Sequence, residues 1–218
     1  MHLCAEMRHT VEIKRKAHYY TQKPAKEPRS ILYVLHGYGQ LAEEFIKEFH
    51  FLRESSTIVV APEAISKFYN KERKAVANWM TSHERIDEID DYINFLNSVH
   101  EEIRSQHEKL PIAVLGFSQG VSTAFRWMCE SKLDVDVVFT CSGTIPPELT
   151  LSDFSSLKET PCYYYFGNRD KLLLPEKALK QIELLRNVGL NITQCEYEGR
   201  HEISEITAKD IKVFSQSY

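Results

Sequence analysis

A serine hydroxyl becomes a nucleophile only where a base takes its proton and nearby donors stabilise the oxyanion that forms. Ser118 lies in Gly116-Phe117-Ser118-Gln119-Gly120, between the apolar run "IAVLG" (112–116) and an amphipathic stretch over 119–131. In a strand–turn–helix setting this is the pattern of a nucleophile elbow, a turn so sharp that glycine fits best two residues either side of the serine. The helix that follows offers the serine a free N–H and the positive end of its dipole. An elbow of this kind takes its acid and then its histidine from later in the chain. Of the nine histidines only His201, in "YEGRH", lies beyond Ser118. Asp134, Asp136, Asp153 and Asp170 lie between the two. Asp134 and Asp136 sit at the amino end of a strand, on the wrong side, and Asp153 belongs to a polar loop. Asp170 comes just after "YYYFG", at the carboxyl end of a strand, and is the acid expected to orient His201.

An oxyanion hole needs two convergent donors. The N–H of Gln119, directly after Ser118, is one. The loop after the apolar run at 31–35, which reads His36-Gly37-Tyr38-Gly39, is the expected source of the other. His36, placed before Gly37, suits bracing of that loop better than catalysis.

The elements that must carry these groups follow from hydrophobic periodicity. "ILYVL" (31–35), "TIVVA" (57–61), "IAVLG" (112–116), "VDVVFTC" (135–141), "CYYYFG" (162–167) and "ITQCEY" (192–197) read as strands. Helical spacing recurs over 42–52, 89–103, 119–131, 176–188 and 203–214. An edge strand is expected at Val11–Tyr20. Residues 63–81, with the basic and aromatic "KFYNKERK", carry no clear period, and Thr81 and Glu84 are spaced as a capping box for the helix behind them. Such alternation implies a mostly parallel, twisted sheet with helices on both faces, whose ligands bind at the carboxyl ends of the strands. With no internal repeat and no dividing linker, residues 1–218 read as one domain, residues 1–28 supplying the edge strand and a connection.

Composition excludes other classes. A net charge of −4 argues against a nucleic-acid partner, and no run of about twenty apolar residues exists to span a membrane. The N-terminal residues lack the apolar core of a secretory signal. The five cysteines form no Cys-x-x-Cys pair, so neither a zinc nor a redox motif is expected. Most of them should be core residues in a reducing, cytoplasmic setting, with Cys4 an exposed thiol. No metal or organic cofactor is implied.

"LHGYGQ", "GFSQG", "GNRD" followed by Pro175, and "YEGRH" together resemble the phospholipase/carboxylesterase family of α/β-hydrolases, over roughly residues 29 to 216. The resemblance implies a single α/β-hydrolase domain without an inserted cap and a triad of Ser118, Asp170 and His201. It also implies oxyanion donors at Tyr38 and Gln119, and a tryptophan lining the acyl pocket at Trp79. Met80, beside it, either lines the same pocket or packs in the core. The chain departs from the family at Tyr38 (commonly Leu), Gln40 (Asp), Val121 (Gly) and Asn168 (often Asp). The Lys- and Arg-rich segment before Trp79 is unlike the wall of a long fatty-acyl channel, so short-acyl esters are the expected substrates, with thioesters a further class. Arg169, Lys171 and Arg200 flank the expected acid and base, either as solvated loop charges or as a draw for anionic substrates. A peptidase or amidase, and a non-catalytic ligand-binding protein, are the alternatives on the same fold. The oligomeric state is not written in the sequence.

Overall fold

The computed structural model describes residues 7–218, so Cys4 lies outside the described residues. In chain order the elements are β1 (Tyr19–Gln22), β2 (Ser30–Leu35), α1 (Ala42–Phe45) running into a 3-10 helix (Ile46–Leu52), β3 (Thr57–Pro62), β4 (Ser66–Tyr69), β5 (Ala75–Asn78) and α2 (Arg85–Gln106). There follow β6 (Ile112–Phe117), α3 (Gln119–Glu130), β7 (Val137–Cys141), a short 3-10 helix (Asp153–Leu157), β8 (Cys162–Gly167), α4 (Pro175–Asn187), β9 (Ile192–Tyr197) and α5 (Glu205–Ser217).

Seven strands form one sheet in the order β1-β3-β2-β6-β7-β8-β9. β1 pairs antiparallel with β3 and every other neighbouring pair is parallel. β2, β3 and β6 are buried at every position, as strands covered on both faces must be. Alternate residues of β2 feed two separate cores: Ile31, Tyr33 and Leu35 face one with α2, α3 and α4, while Leu32 and Val34 face the other with α1 and α5. From β2 the chain crosses to β3 on one side, and β6 then lies on the other. The crossing order therefore reverses between β2 and β6, and a crevice opens at the carboxyl ends of such a pair.

The structure departs from the sequence expectations in three places. The edge strand is displaced: Val11 and Ile13 are exposed and outside any strand, and pairing begins only at Tyr19, opposite Pro62. The aperiodic stretch 63–81 contains a hairpin of β4 and β5, bridged to the main body through Gln40 and Ala77. The Thr81–Glu84 capping box does not form. Thr81 donates through its N–H and hydroxyl to Glu88 Oε2 instead, and Glu84 starts α2 in left-handed backbone with no side-chain cap. No helix among the described residues is long and apolar enough to cross a membrane.

Candidate active site

Ser118 joins β6 to α3 with φ 54° and ψ −118°, a conformation that costs a non-glycine residue about 1–3 kcal/mol. Two close approaches explain its flanking glycines. A Cβ at Gly116 would stand 2.6 Å from the Gly120 carbonyl oxygen, and one at Gly120 would collide with the Leu35 and His36 carbonyls. The sharp turn lifts Ser118 to the rim, half-buried, while Gln119 opens α3. As the first helical residue, Gln119 has an N–H without a partner inside the helix.

The loop after β2 is fixed beside it. His36 is fully buried, its Nδ1 2.8 Å from the Gly37 carbonyl and its Nε2 3.1 Å from the Ala64 N–H. That pairing makes Nδ1 the donor and Nε2 the acceptor, which defines a neutral ring. Burial drives its pKa down to about 4, against the opposing pull of the Gly37 bond. The Gln40 side chain accepts from the Gly37 N–H at 2.7 Å, while Ala77 of β5 donates its N–H to the Gln40 carbonyl and accepts from the Gly39 N–H. Gly37 N–H is thus consumed within the loop. Tyr38 N–H has no acceptor among the described residues, and a Cβ on neighbouring Gly37 would stand 3.1 Å from Ser118 Cβ. The Tyr38 ring is exposed and lies 5.1 Å from Phe68 of the hairpin, so the hairpin borders the crevice.

Asp170 and His201 are brought together. Asp170 is buried; its Oδ1 accepts from Leu172 N–H at 2.7 Å and Leu173 N–H at 2.9 Å, and Oδ2 lies 2.7 Å from His201 Nδ1. Those bonds orient the carboxylate and assign the ring proton to Nδ1. His201 Nε2 is buried without a hydrogen-bond partner, and the ring packs 5.0 Å from Phe117, the residue before the serine. Ser118 and His201 share the rim but do not form a direct hydrogen bond in this structure. Sequence reasoning missed the clamp on the histidine loop. Tyr197 O–H lies 2.9 Å from the Arg200 carbonyl and 2.8 Å from the Glu202 carbonyl, straddling His201, and 3.3 Å from Ser142 Oγ. The tyrosine of "YEGRH" was the available signal.

A second unanticipated tie is the Gln119 side chain. Its Oε1 accepts from Trp79 N–H, and its Nε2 donates to Asn78 Oδ1 at 2.7 Å and to the Met80 carbonyl at 2.9 Å. Trp79 has no exposed surface; its indole N–H donates to the His36 carbonyl and its ring lies 5.1 Å from the His36 ring. It therefore backs the loop of Tyr38. Met80 is half-buried beside it and packs against the core that holds α2 and α3. Arg169 pairs with Glu198 at 3.3 Å on the exposed surface, the behaviour of a solvated loop charge. A cavity of about 420 Å³ lies elsewhere, near the amino ends of β2 and β3, between Arg29, Phe51, Lys212 and Tyr218. The topology and the glycine loops, rather than cavity size, locate the site. Among the described residues no group of three or more His, Cys, Asp or Glu side chains is gathered to hold a metal ion.

A model of the phospholipase/carboxylesterase family matches residues 16–217. No curated protein matches the chain. Among solved structures, Zea mays acyl-protein thioesterase 2 is 14% identical, with a TM-score of 0.73 over 93% of this chain and 99% of that one. Esterase PE8 is 18% identical, with a TM-score of 0.71 over 93% and 99%. A phospholipase/carboxylesterase from Dyadobacter fermentans is 19% identical, with a TM-score of 0.67 over 95% and 100%. At such identities the likeness is one of fold, and the fold they share with this chain is the α/β-hydrolase, covering nearly its whole length.

Proposed function

Since the chain belongs to the phospholipase/carboxylesterase family, we propose that it is a serine hydrolase of small, short-acyl carboxylic esters, with thioesters as a further class. The reading rests on one observation above others: a serine strained into positive φ at the start of α3, on the same rim as a buried carboxylate 2.7 Å from a histidine. In this mechanism His201 Nε2, unpartnered at rest, takes the Ser118 proton as Oγ attacks the acyl carbon. Asp170 keeps the ring proton on Nδ1 and stabilises the imidazolium. The N–H groups of Tyr38 and Gln119 receive the oxyanion, each contributing about 3 kcal/mol to the transition state. The same histidine protonates the departing alcohol and then activates the water that frees the acid. Met80 edges the acyl groove, and Trp79 supports it from behind.

The reading extends to one α/β-hydrolase domain over residues 1–218, with residues 1–28 as edge strand and connection. It also extends to a cytoplasmic setting, in keeping with described cysteines that are all unpaired and mostly buried. Ser118→Ala tests the chemistry: it should abolish turnover of p-nitrophenyl acetate while the far-UV circular dichroism and melting temperature hold. Activity near the wild-type level would remove Ser118 from the mechanism.

A further inference from the structure

Beyond the elbow, Gln119 and Ser122 of α3 are half-buried, and residues 123–129 are buried throughout. Arg126 is the next residue on the face of Ser118 and Ser122, at helical spacing of four, and its side chain is 7% exposed. Two walls flank that face. On one side Gly143 packs against the Ser118 carbonyl, Ser122 Oγ donates to the Thr144 carbonyl at 2.6 Å, and Glu148 Oε1 accepts from Arg126 Nε at 2.6 Å. On the other, the segment pinned by Gln119 ends at Met80, whose Sδ is 3.5 Å from Arg126 Nη1. Arg85, at the start of α2, crosses between the walls to Glu148 Oε2 at 2.5 Å. A groove therefore leaves Ser118 along α3 and is closed by Arg126, Glu148 and Arg85.

The closure has more positive charge than it needs. Two guanidiniums share one carboxylate, and both oxygens of that carboxylate are engaged. Burial works against its ionisation, yet the bonds from Arg126 and Arg85 hold Glu148 at about 2, so it stays charged at neutral pH. Arg126 Nη1 meets only weak neutral partners, Tyr92 Oη at 3.4 Å and Met80 Sδ, while Nη2 has no acceptor among the described residues. A structural ion pair requires one arginine. A second, buried with donors to spare at the end of a substrate groove, matches the fork that recognises a carboxylate.

The direction of the groove identifies which part of the ester it receives. The leaving alcohol must exit beside His201, which packs on Phe117 in the core shared with α5, whereas Met80 and Val121 pack in the core on the other face. The α3 groove is left for the acyl chain. Ser118 and Arg126 are about 12 Å apart along the helix axis, and side chains lean back toward the helix N-terminus. On its wall, Met80 reaches from the Gln119 side chain to Arg126. An acyl chain of roughly four to six carbons, counted from the scissile carbonyl to a terminal carboxylate, fits that reach.

We propose that the natural substrates are hemiesters of short dicarboxylic acids, the free carboxylate held by Arg126 and Arg85. This rests on the reading of Ser118 as nucleophile. The test compares kcat/KM for the monoethyl esters of succinic, glutaric and adipic acids with ethyl butyrate, valerate and hexanoate. The carboxylated ester should be favoured roughly 10- to 100-fold for at least one length. That ratio should fall toward one in Arg126→Met, which keeps the chain volume beside Met80, and by several-fold in Arg85→Gln, whose half-exposed position spares the fold if the first variant does not fold. A wild-type ratio of one or less at all three lengths, or a ratio unmoved in every folded variant, overturns the proposal. Calorimetric binding of glutarate and butyrate to Ser118→Ala separates the two readings. If no ester is hydrolysed yet glutarate binds more tightly than butyrate through Arg126, the hydrolase reading fails and the carboxylate site stands. If esters are hydrolysed and the two acids bind alike, the carboxylate site fails alone.

Discussion

His36 should make this protein acid-sensitive in a defined window. The ring is fully buried, donates from Nδ1 to Gly37 and accepts at Nε2 from Ala64. A second proton would destroy the acceptor and place a charge in the core. Its pKa is lowered from 6.5 to about 4 by burial. In the unfolded chain the ring charges near 6.5, while in the folded chain it stays neutral until about 4. Stability from this group is therefore complete above 6.5, falls as the pH drops toward 4, and is constant below that. At about 1.4 kcal/mol per unit the loss amounts to about 3 kcal/mol. Urea unfolding at intervals from pH 7.5 to 4 measures it, and His36→Gln, which retains an acceptor near the position of Nε2, provides the reference. The difference between the two ΔG profiles should show the full step between 6.5 and 4. Parallel profiles would mean that His36 is charged in the fold or that its bonds contribute nothing, and the bracing of the Tyr38 loop would have to be explained another way.

Three substitutions probe the remaining parts of the site. Asp170→Asn retains acceptors for Leu172 and Leu173 but turns an N–H₂ toward His201 Nδ1, forcing the wrong tautomer; kcat should fall on the order of 10⁴-fold with KM little changed, and a tenfold loss or less would contradict the orienting role. Tyr197→Phe strips the donor from the Arg200 and Glu202 carbonyls, at a cost of about 1–3 kcal/mol; kcat should drop more than KM rises, and unchanged kcat would show that the histidine loop holds without the clamp. Gln119→Ala keeps the backbone donor while releasing residues 78–80, so acyl-length preference should broaden with kcat on acetate esters largely preserved; a collapse on acetate as well would assign the side chain a part in the chemistry.

Much of the site was legible because its chemistry is tied to local backbone geometry. A serine between a buried strand and a helix needs glycines where Gly116 and Gly120 stand, and their contacts with Val121 and Leu35 show why. Asp170 could be chosen among four aspartates because parallel sheets put their working ends on one rim. What escaped the sequence depended on side-chain partners that no hydrophobic period or spacing rule encodes. β4 alternates half-buried and exposed residues over only four positions and β5 is buried from Val76 onward, and the hairpin is fixed by the bridge of Ala77 to Gln40 and by Lys67 against buried Glu63, too short a pattern to read as strands. The capping box failed because Glu88, four residues beyond the expected partner, reaches Thr81. Arg126 resembled any polar residue of an amphipathic helix; its burial comes from Glu148, twenty-two residues later. The loop charges at Arg169, Lys171 and Arg200 left two readings open, solvated charges or a draw for anions, and Arg169 pairs with Glu198 on the exposed surface, in keeping with the first.

In the proposed mechanism Ser118 is the residue that carries the acyl group. A fluorophosphonate probe followed by intact and peptide mass spectrometry tests this most directly. One adduct per chain on the peptide containing Ser118, absent in Ser118→Ala and formed slowly in His201→Ala, is the expected result. A protein that hydrolyses esters while the probe adds elsewhere, or nowhere, would contradict it.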